Sequence, residues 1–298
     1  MKVFVIANPI AGGGRGERLT QDLFEALGRN GYQVDGHLTR SAGEAGAQAR
    51  DLATDFEALV IVGGDGTINE VLNGLKDPSQ TPLAVLPAGT ANILARELSL
   101  SDRPAGLVRT LKKGVIRRID MGLIGKHRFL MVASAGFDAF VTEEVRRRRK
   151  KSLGFRRYLL PILSVLMHYR PPDLTVTVDG GEAVRGSFVV VSNTKIYGGI
   201  FSFADRAQCD SGHLDICVFP RGDMWALLRY YVAAYRRRVS SDTDVRYCKG
   251  KRILIESKEP AMIQVDGEPF GTTPSDIRIV PSCVPIKVPP AGDATHKQ

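Results

Sequence analysis

The stretch VIVGGDGTINEVLNGL, residues 60–75, decides the fold of the first half of the chain. Three glycines and Asp65 follow directly on an apolar run, and an amphipathic helical pattern starts at Thr67. A turn that leads from the carboxyl end of a strand into a helix exposes backbone N–H groups and the positive end of the helix dipole. Because glycine has no Cβ, the backbone there can come close to a ligand. The stretch therefore predicts a phosphate-binding turn.

Two further turns have the same character, NPIAGGGRG at residues 8–16 and PAGTAN at residues 87–92. Each one alone could simply connect a strand to a helix. Parallel strands bring such turns to one edge of the sheet, where open α/β sheets bind ligands. The spacing matches neither a Walker A loop nor a dinucleotide fingerprint, and no nucleophile elbow or kinase catalytic loop is present. Three turns together, one with a central Asp, predict a ligand site of another kind.

The rhythm of apolar runs predicts two domains and a tail. Residues 1–118 alternate β-rich runs with helical patterns, which is typical of βαβ units around a parallel sheet. Residues 119–288 contain short β-branched runs separated by turn residues, which predicts a mostly antiparallel β domain. Two helices interrupt that domain, over Ala139–Tyr169 with a break near Ser152 and over 224–238. Residues 289–298 lack an apolar pattern and are expected to be a disordered tail.

Composition limits the partners without choosing among them. The chain has 298 residues and a formal net charge of +9, so nucleotide phosphates, lipid headgroups and nucleic acid are all open. No apolar segment reaches the roughly 20 residues that a membrane span needs. The chain enters a strand pattern at once with no visible signal peptide, which predicts a cytoplasmic location. The four cysteines are far apart and are expected to be reduced thiols.

A resemblance to a known family gives these turns a function. GGDGTINEVLNGL followed by LPAGTANILAREL, with NP and a glycine run before them and QVDGEPF late in the chain, resembles the diacylglycerol kinase catalytic family of bacterial lipid kinases. Sphingosine and ceramide kinases are similar to it, and NAD kinases are more distant. The resemblance covers essentially the whole chain in the right order. It implies an ATP-binding α/β domain, a β-sandwich-like lipid-substrate domain and a cleft between them, with transfer of the ATP γ-phosphoryl group to a lipid hydroxyl.

The resemblance also implies which residues bind the nucleotide. Asp65 would engage Mg²⁺ and the phosphates of ATP, since a hard cation on phosphates is commonly held by one or two carboxylates. For Glu70, helix capping and nucleotide contact are both open, and Asn92 could orient Thr90 or cap a helix. The residues expected to contact the nucleotide are Asn8, Pro9, Gly12, Thr39, Gly64, Asp65, Gly66, Thr67, Asn69, Glu70 and Thr90.

Proton removal from the lipid hydroxyl is assigned to the late motif QVDGE. The resemblance makes Glu268 the proton acceptor, with Asp266 on the same turn. A general base must reach the proton that it removes, which a carboxylate from the second domain could do if the domains close over both substrates. From the residues alone, Asp-Gly-Glu is also an ordinary hairpin turn.

A second metal site is common in the family, where an Asp-Gly-x-Leu segment binds a structural Mg²⁺. The matching stretch is CDSGHL, in which Ser211 stands where the usual Asp precedes the glycine. Asp210, Asp205 and the carbonyl of His213 remain candidate ligands, and one fewer carboxylate weakens binding. Ile200 and Phe201 also depart from the family pattern, at a wall expected to face the lipid.

The basic run RRRRKKSLGFRR, residues 146–157, is followed by an apolar segment. It is either a solvated helix face or an attachment to anionic lipid on the inner face of the membrane. The expected partners are a lipid substrate, anionic phospholipid and a second copy in a homodimer. The alternatives, after a sphingoid-base or ceramide kinase, are an NAD kinase and a non-enzymatic binder of membrane or nucleic acid that uses residues 236–238. Nucleic acid is not expected, because no recognisable module is present and aromatics do not interleave with the basic residues.

Overall fold

The computed structural model describes residues 2–52, 56–148 and 169–290. The chain forms two compact units, one of residues 1–121 with 281–298 and one of residues 122–280. The sequence pattern instead places the boundary at 118/119 and residues 281–288 with the second domain. The last strand, β16 (Ser275–Val288), begins in the second unit and ends in the first. The sequence does not indicate this change of unit, because the β pattern continues without a break across position 281. The expected tail lies, from residue 291 onward, outside the described residues.

The first unit has a parallel sheet in the order β2 (Gln33–Leu38), β1 (Lys2–Ala7), β3 (Ala58–Gly63) and β4 (Leu83–Pro87). The end of β16 continues it in parallel, with Ile286 opposite Leu83. Its strands and helices, with β5 reaching three residues into the second unit, are β1 (Lys2–Ala7), α1 (Ala11–Arg29), β2 (Gln33–Leu38), α2 (Glu44–Arg50), β3 (Ala58–Gly63), α3 (Asp65–Gly74), β4 (Leu83–Pro87), α4 (Ile93–Glu97), α5 (Pro104–Lys113) and β5 (Val115–Ile124).

Both faces of the central strands are covered. All six residues of β3 and all five of β4 are buried. Alternate residues of β1, β3 and β4 pack with Leu23 of α1 and Leu107 of α5. The residues between them on β3 and β4, such as Ile61, face the other way and are also buried. Parallel strands buried on both faces have continuous apolar runs, which is why ALVIV has no alternation. The predicted α/β fold with a parallel sheet is confirmed.

The second unit is built from antiparallel strands. Six of them form one sheet, in the order β12 (Arg246–Gly250), β11 (Leu214–Phe219), β10 (Phe188–Ser192), β7 (Val132–Ala135), β14 (Met262–Val265) and β15 (Glu268–Thr272). In the other sheet the start of β16 pairs with β13 (Arg252–Ser257), β13 pairs with β8 (Leu174–Val178), and β8 pairs with β9 (Val184–Gly186). The elements are β6 (His127–Phe129), β7 (Val132–Ala135), α6 (Phe137–Arg148), β8 (Leu174–Val178), β9 (Val184–Gly186), β10 (Phe188–Ser192), β11 (Leu214–Phe219), α7 (Met224–Tyr235), a 3-10 turn (Val239–Ser241), β12 (Arg246–Gly250), β13 (Arg252–Ser257), β14 (Met262–Val265) and β15 (Glu268–Thr272).

The core of the second unit lies between these sheets. Val189 and Ile263 come from the six-stranded sheet, and Val176, Ile253 and Ile277 come from the other, all in one buried cluster. This is the packing of a β-sandwich, and it confirms the predicted fold class. The predicted helix over 224–238 is α7, which ends three residues earlier. The predicted helix from Ala139 is α6 as far as Arg148, and its remainder to residue 168 lies outside the described residues.

Candidate active site

Three turns lie side by side at the carboxyl edge of the parallel sheet in the first unit. The backbone N–H of Asn8 donates to the Val62 carbonyl at 2.8 Å, and that of Ala88 donates to the Gly63 carbonyl at 2.9 Å. These bonds join the turn after β1 to the end of β3, and the turn after β4 to the same strand. The structure therefore gathers the three glycine turns that the sequence predicts.

The turns approach each other more closely than side chains would allow. A Cβ on Gly89 would lie 2.5 Å from the Gly64 Cα atom, a distance that real Cβ atoms essentially never show. In the first turn, a Cβ on Gly12 would lie 2.2 Å from the carbonyl oxygen of Ala88. Gly12, Gly13 and Gly14 all have positive φ angles, which turns the chain before the regular part of α1. Glycine is thus required for packing the turns, in addition to any contact with a ligand.

Asp65 ties the second turn to the third. Its carboxylate accepts the backbone N–H of Ile93 at 3.0 Å and that of Leu94 at 3.2 Å, which caps the start of α4. Burial raises the pKa of Asp65, and these backbone hydrogen bonds oppose that shift. The expected metal-binding carboxylate therefore also fixes the geometry of the neighbouring turn.

The other residues predicted to contact the nucleotide lie in or next to the three turns. Asn8 donates from Nδ2 to Thr67 Oγ1 at 3.4 Å, so the first and second turns share a polar contact. Thr39 is buried, and its hydroxyl donates to the Ala7 carbonyl at 3.3 Å. Thr90 is exposed on the third turn. Pro9, Gly64 and Gly66 lie within the turns, while Asn69 and Glu70 follow on α3.

Arg15 is a further candidate residue at these turns, which the sequence analysis does not include. Its guanidinium donates to the Pro87 carbonyl at 3.2 Å and lies 3.8 Å from a carboxylate oxygen of Asp102. The side chain is about half exposed, so its charge stands at the third turn within reach of a solvent-borne anion. Its signal in the sequence is the single basic residue of GGGRG, inside the glycine run.

This edge fits the phosphates of a nucleotide. Helix α3 begins at Asp65, and its N-cap residue, Gly64, has no side chain that could cap it. The first N–H groups of a helix lack intrahelical partners, and with the dipole they favour anions. For Mg²⁺, Asp65 is the carboxylate at these turns, and bound phosphates and waters would have to complete the coordination.

The structural metal site stays a prediction, and its candidate ligands make other contacts in the structure. Asp210 is exposed, and the carbonyl of His213 accepts the Ser211 hydroxyl at 3.0 Å. The serine that replaces the family's Asp thus hydrogen-bonds to the carbonyl expected to bind the metal. Asp205 accepts the backbone N–H of Ser240 at 3.3 Å. Within the described ranges, no group of three or more His, Cys, Asp or Glu side chains could hold a metal ion.

In the second unit, QVDGE forms the turn between β14 and β15. Asp266 and Gly267 have φ angles of 48° and 84°, as the two central residues of a type I′ hairpin require. The Asp266 carboxylate accepts three backbone N–H groups, from Leu130, Met131 and Val132, at 2.9 to 3.1 Å. Those contacts belong to a carboxylate that holds a turn in place. The catalytic role of Asp266 stays a prediction, and these contacts add a structural task to it.

Glu268 is the first residue of β15 and is exposed. Arg146, on α6 of the same unit, donates twice to Glu143 at 2.9 Å. Hydrogen bonding to Glu143 and, more weakly, the charge of Glu268 raise the pKa of Arg146. The first residue of the predicted basic run thus belongs to the electrostatic surroundings of Glu268. Residues 149–157 of that run lie outside the described residues.

A buried polar network supports the same hairpin. Asp138 is 3% exposed and accepts hydrogen bonds from Ser134 at 2.5 Å, from Gln264 at 3.0 Å and from the Tyr197 hydroxyl. Gln264 in turn accepts the backbone N–H of Gly267 at 2.8 Å. Burial raises the pKa of Asp138 against the effect of its donors. Sequence reasoning missed this group, although an Asp inside the apolar stretch SAGFDAFV was a signal.

Comparison with protein families supports the resemblance. The model of the diacylglycerol kinase catalytic domain matches residues 2–124, and that of the YegS C-terminal NAD kinase beta sandwich-like domain matches residues 131–288. The chain belongs to the diacylglycerol kinase catalytic family. The two matches follow the order of an α/β part and a β-sandwich part that the structure has.

Individual relatives agree with this membership. The chain is 28% identical over 277 residues to a diacylglycerol kinase of Bacillus subtilis (strain 168), with 91% of each chain covered. A crystal structure of a diacylglycerol kinase from Bacillus anthracis str. Sterne is 26% identical with a TM-score of 0.79, covering 97% of this chain and 98% of that one. An NAD kinase from Archaeoglobus fulgidus in complex with ATP, 15% identical over 96% of this chain and 93% of its own, has a TM-score of 0.54. That last likeness concerns the fold alone.

The part of the chain that the structure describes contains no membrane-crossing helix. None of those helices combines the length and the hydrophobicity that a bilayer crossing demands.

Proposed function

We propose that this protein is a lipid kinase that transfers the γ-phosphoryl group of ATP to the hydroxyl of diacylglycerol or a related glycerolipid. The observation that carries the proposal is the gathering of three glycine turns at a helix N-terminus whose N-cap is glycine, in a chain whose relatives along 91% of its length are named diacylglycerol kinases. Phosphoryl transfer needs positioning and charge neutralisation more than covalent chemistry from the protein. Backbone N–H groups and a basic side chain suit that task.

The first unit would bind the nucleotide. The N–H groups at the start of α3 and the guanidinium of Arg15 hold phosphate oxygens, and Asp65 keeps the second and third turns together. Asp65 would hold Mg²⁺, which when bound would supply positive charge against the phosphates. These groups leave the γ-phosphorus open to attack by withdrawing charge from its oxygens.

The second unit would supply the base. Glu268 accepts the proton of the lipid hydroxyl while the hydroxyl oxygen forms a bond to the γ-phosphorus and the bond from that phosphorus to ADP breaks. Asp266 and Gln264 hold the hairpin on which Glu268 stands. These two residues position the hairpin, and Glu268 transfers the proton.

Sphingoid bases, ceramide and NAD are the alternative acceptors. A sphingoid base or ceramide also offers a hydroxyl next to an apolar body, but the named relatives favour a glycerolipid. An NAD kinase shares the fold at a TM-score of 0.54, against 0.79 for the diacylglycerol kinase structure. Attachment to the inner face of the membrane, through anionic phospholipid, belongs to the same proposal because the substrate resides in a bilayer.

In the test, purified protein is incubated with radiolabelled ATP, Mg²⁺ and one acceptor at a time. The acceptors are detergent-dispersed diacylglycerol, ceramide or sphingosine, and NAD in solution. We expect label in diacylglycerol, and its loss in Glu268→Gln. Glu182→Gln is a matched control, since Glu182 is an exposed glutamate of the same unit. Label in NAD alone, or in ceramide or sphingosine alone, would overturn the proposed acceptor. ATP binding without transfer to any acceptor would overturn the enzyme assignment.

A further inference from the structure

Helix α7, MWALLRYYVAAY, is apolar on two opposite sides. Its inner side is buried in the second unit and consists of Ala226, Leu227, Tyr230 and Ala234. Its outer side is exposed by 50, 72, 55, 42 and 65% at Met224, Trp225, Leu228, Val232 and Tyr235 respectively. At 3.6 residues per turn, these five side chains fall within an arc of about 100°. The outer side is therefore a continuous apolar stripe, which we call the outer stripe.

The inner side holds the helix without help from the outer stripe. The ring of Tyr230 packs on Phe219 with centroids 4.8 Å apart, and its hydroxyl donates to Asp244 at 2.8 Å. Arg229 also pairs with Asp244. At the start of the helix, the Asp223 side chain accepts the Ala226 N–H at 3.1 Å. Because these contacts fix the helix, packing does not account for five large apolar side chains on the outside.

An exposed apolar stripe of this kind has a cost in water, and monomeric proteins rarely keep one without a use. The helices of the first unit show the ordinary arrangement. Helix α5 buries Leu107, Val108 and Leu111 and exposes Arg109 and Lys112. A helix that is apolar on its outside as well is typical of one with apolar surroundings on that side.

The charge around the outer stripe points to the nature of those surroundings. Arg236, Arg237 and Arg238 follow the last turn of α7 directly and are exposed. Within residues 2–52, 56–148 and 169–290, no carboxylate forms an ion pair with any of the three. Residues 224–238 contain no acidic side chain at all, while the chain carries a net charge of +9. An apolar stripe that ends in cationic groups without an ion-pair partner among the described residues is complementary to an apolar surface bordered by anions.

We propose that α7 docks the protein on an anionic phospholipid bilayer, with the outer stripe in the interface and Arg236 to Arg238 on lipid phosphates. Trp225 and Tyr235 have the apolar body and polar tip that favour the headgroup level. Basic residues near an anionic surface add attraction. A second copy of the chain would present the same stripe and the same cations without counter-charge. The choice of a bilayer rests in part on the proposed lipid substrate.

The single tryptophan of the chain makes the docking directly measurable. The protein is mixed with vesicles of phosphatidylcholine alone or with phosphatidylglycerol, and the emission of Trp225 is recorded. We expect a shift to shorter wavelength with phosphatidylglycerol vesicles, quenching by brominated acyl chains, and reversal at high salt, since screening acts on exposed charge. Binding to phosphatidylglycerol vesicles without any change in Trp225 emission or quenching would overturn the proposal.

Variants separate the stripe from the charge. Leu228→Ser combined with Val232→Ser keeps Trp225 and should weaken vesicle binding roughly 10-fold or more, because two apolar side chains no longer leave water. The matched control is Val115→Ser with Ile116→Ser, which removes two side chains of similar exposure from the first unit and should leave binding unchanged. Arg236→Gln, Arg237→Asn and Arg238→Gln together should remove the preference for phosphatidylglycerol. Asn is used at 237 because φ there is 55°.

Activity on detergent-dispersed diacylglycerol distinguishes failure of the docking from failure of the proposed function. The Leu228→Ser, Val232→Ser variant should keep that activity, since neither residue belongs to the turns or to the hairpin. Unaltered vesicle binding in this variant would overturn the docking proposal even if the kinase activity is real. So would a dimer, seen by sedimentation, that this variant dissociates, because the stripe would then be an interface between copies.

Discussion

Two of the Asp-Gly dipeptides, at 65–66 in GGDG of the first unit and at 266–267 in QVDGE of the second, have comparable roles in different structural settings. Both carboxylates accept backbone N–H groups from another segment. The donors to Asp65 lie 28 and 29 residues later, and those to Asp266 lie 134 to 136 residues earlier. In the first unit the dipeptide opens a helix, whereas in the second it closes a hairpin with both φ angles positive.

The two motifs differ in the group that the bound Asp-Gly dipeptide places at the surface. Around Gly66 the structure leaves open space, at the N-terminus of a helix where an anion is favoured. The hairpin instead presents the side chain that follows the dipeptide, Glu268. In GGDG the Asp is thus both a tether and the candidate metal ligand, while in QVDGE these tasks are divided between Asp266 and Glu268. Substitutions in the two motifs should therefore have different effects on kcat and on the free energy of unfolding.

The largest effect is expected for Asp65→Asn, which removes the charge and weakens the cap of α4. Phosphoryl transfer should fall by roughly 10³-fold or more, since a preorganised charge at the phosphates is lost. The free energy of unfolding should fall by about 1 kcal/mol, as for loss of a helix cap. Steady-state kcat and urea unfolding measure the two.

Asp77→Asn is the control for Asp65→Asn. Asp77 is a turn carboxylate of the same unit that accepts the Ser79 N–H at 2.9 Å. Its substitution should leave kcat unchanged. If Asp65→Asn retained wild-type kcat with unchanged metal dependence, Asp65 would be a tether only, and the two dipeptides would be equivalent.

Glu268→Gln should lower kcat by roughly 10²- to 10⁴-fold, because the amide keeps the size of the side chain and loses its basicity. The Kd for ATP and the free energy of unfolding should hardly change, since Glu268 is exposed at the hairpin. Measurement of both constants decides the assignment. A large loss of ATP affinity with kcat preserved at saturation would place this carboxylate in the nucleotide site instead.

Asp266→Asn should act on stability as well as on rate. Weaker hydrogen bonds to three backbone N–H groups should lower the free energy of unfolding by about 1–3 kcal/mol. The kcat should fall only about tenfold, because Glu268 is displaced and not removed. Gly267→Ala perturbs the same turn through its φ angle of 84° and should reproduce both changes. A loss of kcat without a loss of stability would show that Asp266 takes part in the chemistry.

The smallest effect concerns the second support of the hairpin, the network of Asp138. Because burial raises the pKa of Asp138 in the folded state, the folded protein binds the proton more tightly than the unfolded chain does. The free energy of unfolding should therefore decrease as pH rises from the ordinary Asp range, about 3.9, through the raised pKa. Urea unfolding at a series of pH values should show this slope in the wild type and a shallower one in Asp138→Asn. An equal slope in both would exclude Asp138 as its source.

Much of the fold is predictable because it depends on local patterns. The run ALVIV indicates a strand buried on both faces, and the short runs after residue 119 indicate antiparallel strands. The spacing of Gly63, Gly64 and Gly66 indicates a strand-to-helix turn in the same way. In each case the physical cause lies within about ten residues of the pattern.

The contacts that build the site have no such local cause. Nothing near Asp65 in the sequence indicates that it caps α4, and nothing near Asp266 indicates its donors at 130–132. Arg15 and Asp138 were missed for the same reason, since each acquires its role from residues about 60 or more positions away. The outer stripe of α7 was equally hidden, because a pattern that is apolar all round does not reveal which side the core will cover.

The sequence by itself determined the class of both units, the family and the three turns, because hydrophobic periodicity and turn chemistry act over short stretches of chain. Only the tertiary structure decided which carboxylate tethers and which is presented, where the chain returns to the first unit, and that Ser211 hydrogen-bonds to the carbonyl of the expected metal site. Those outcomes depend on hydrogen-bond partners and burial that come from distant segments, and such partners exist only once the sheets have formed.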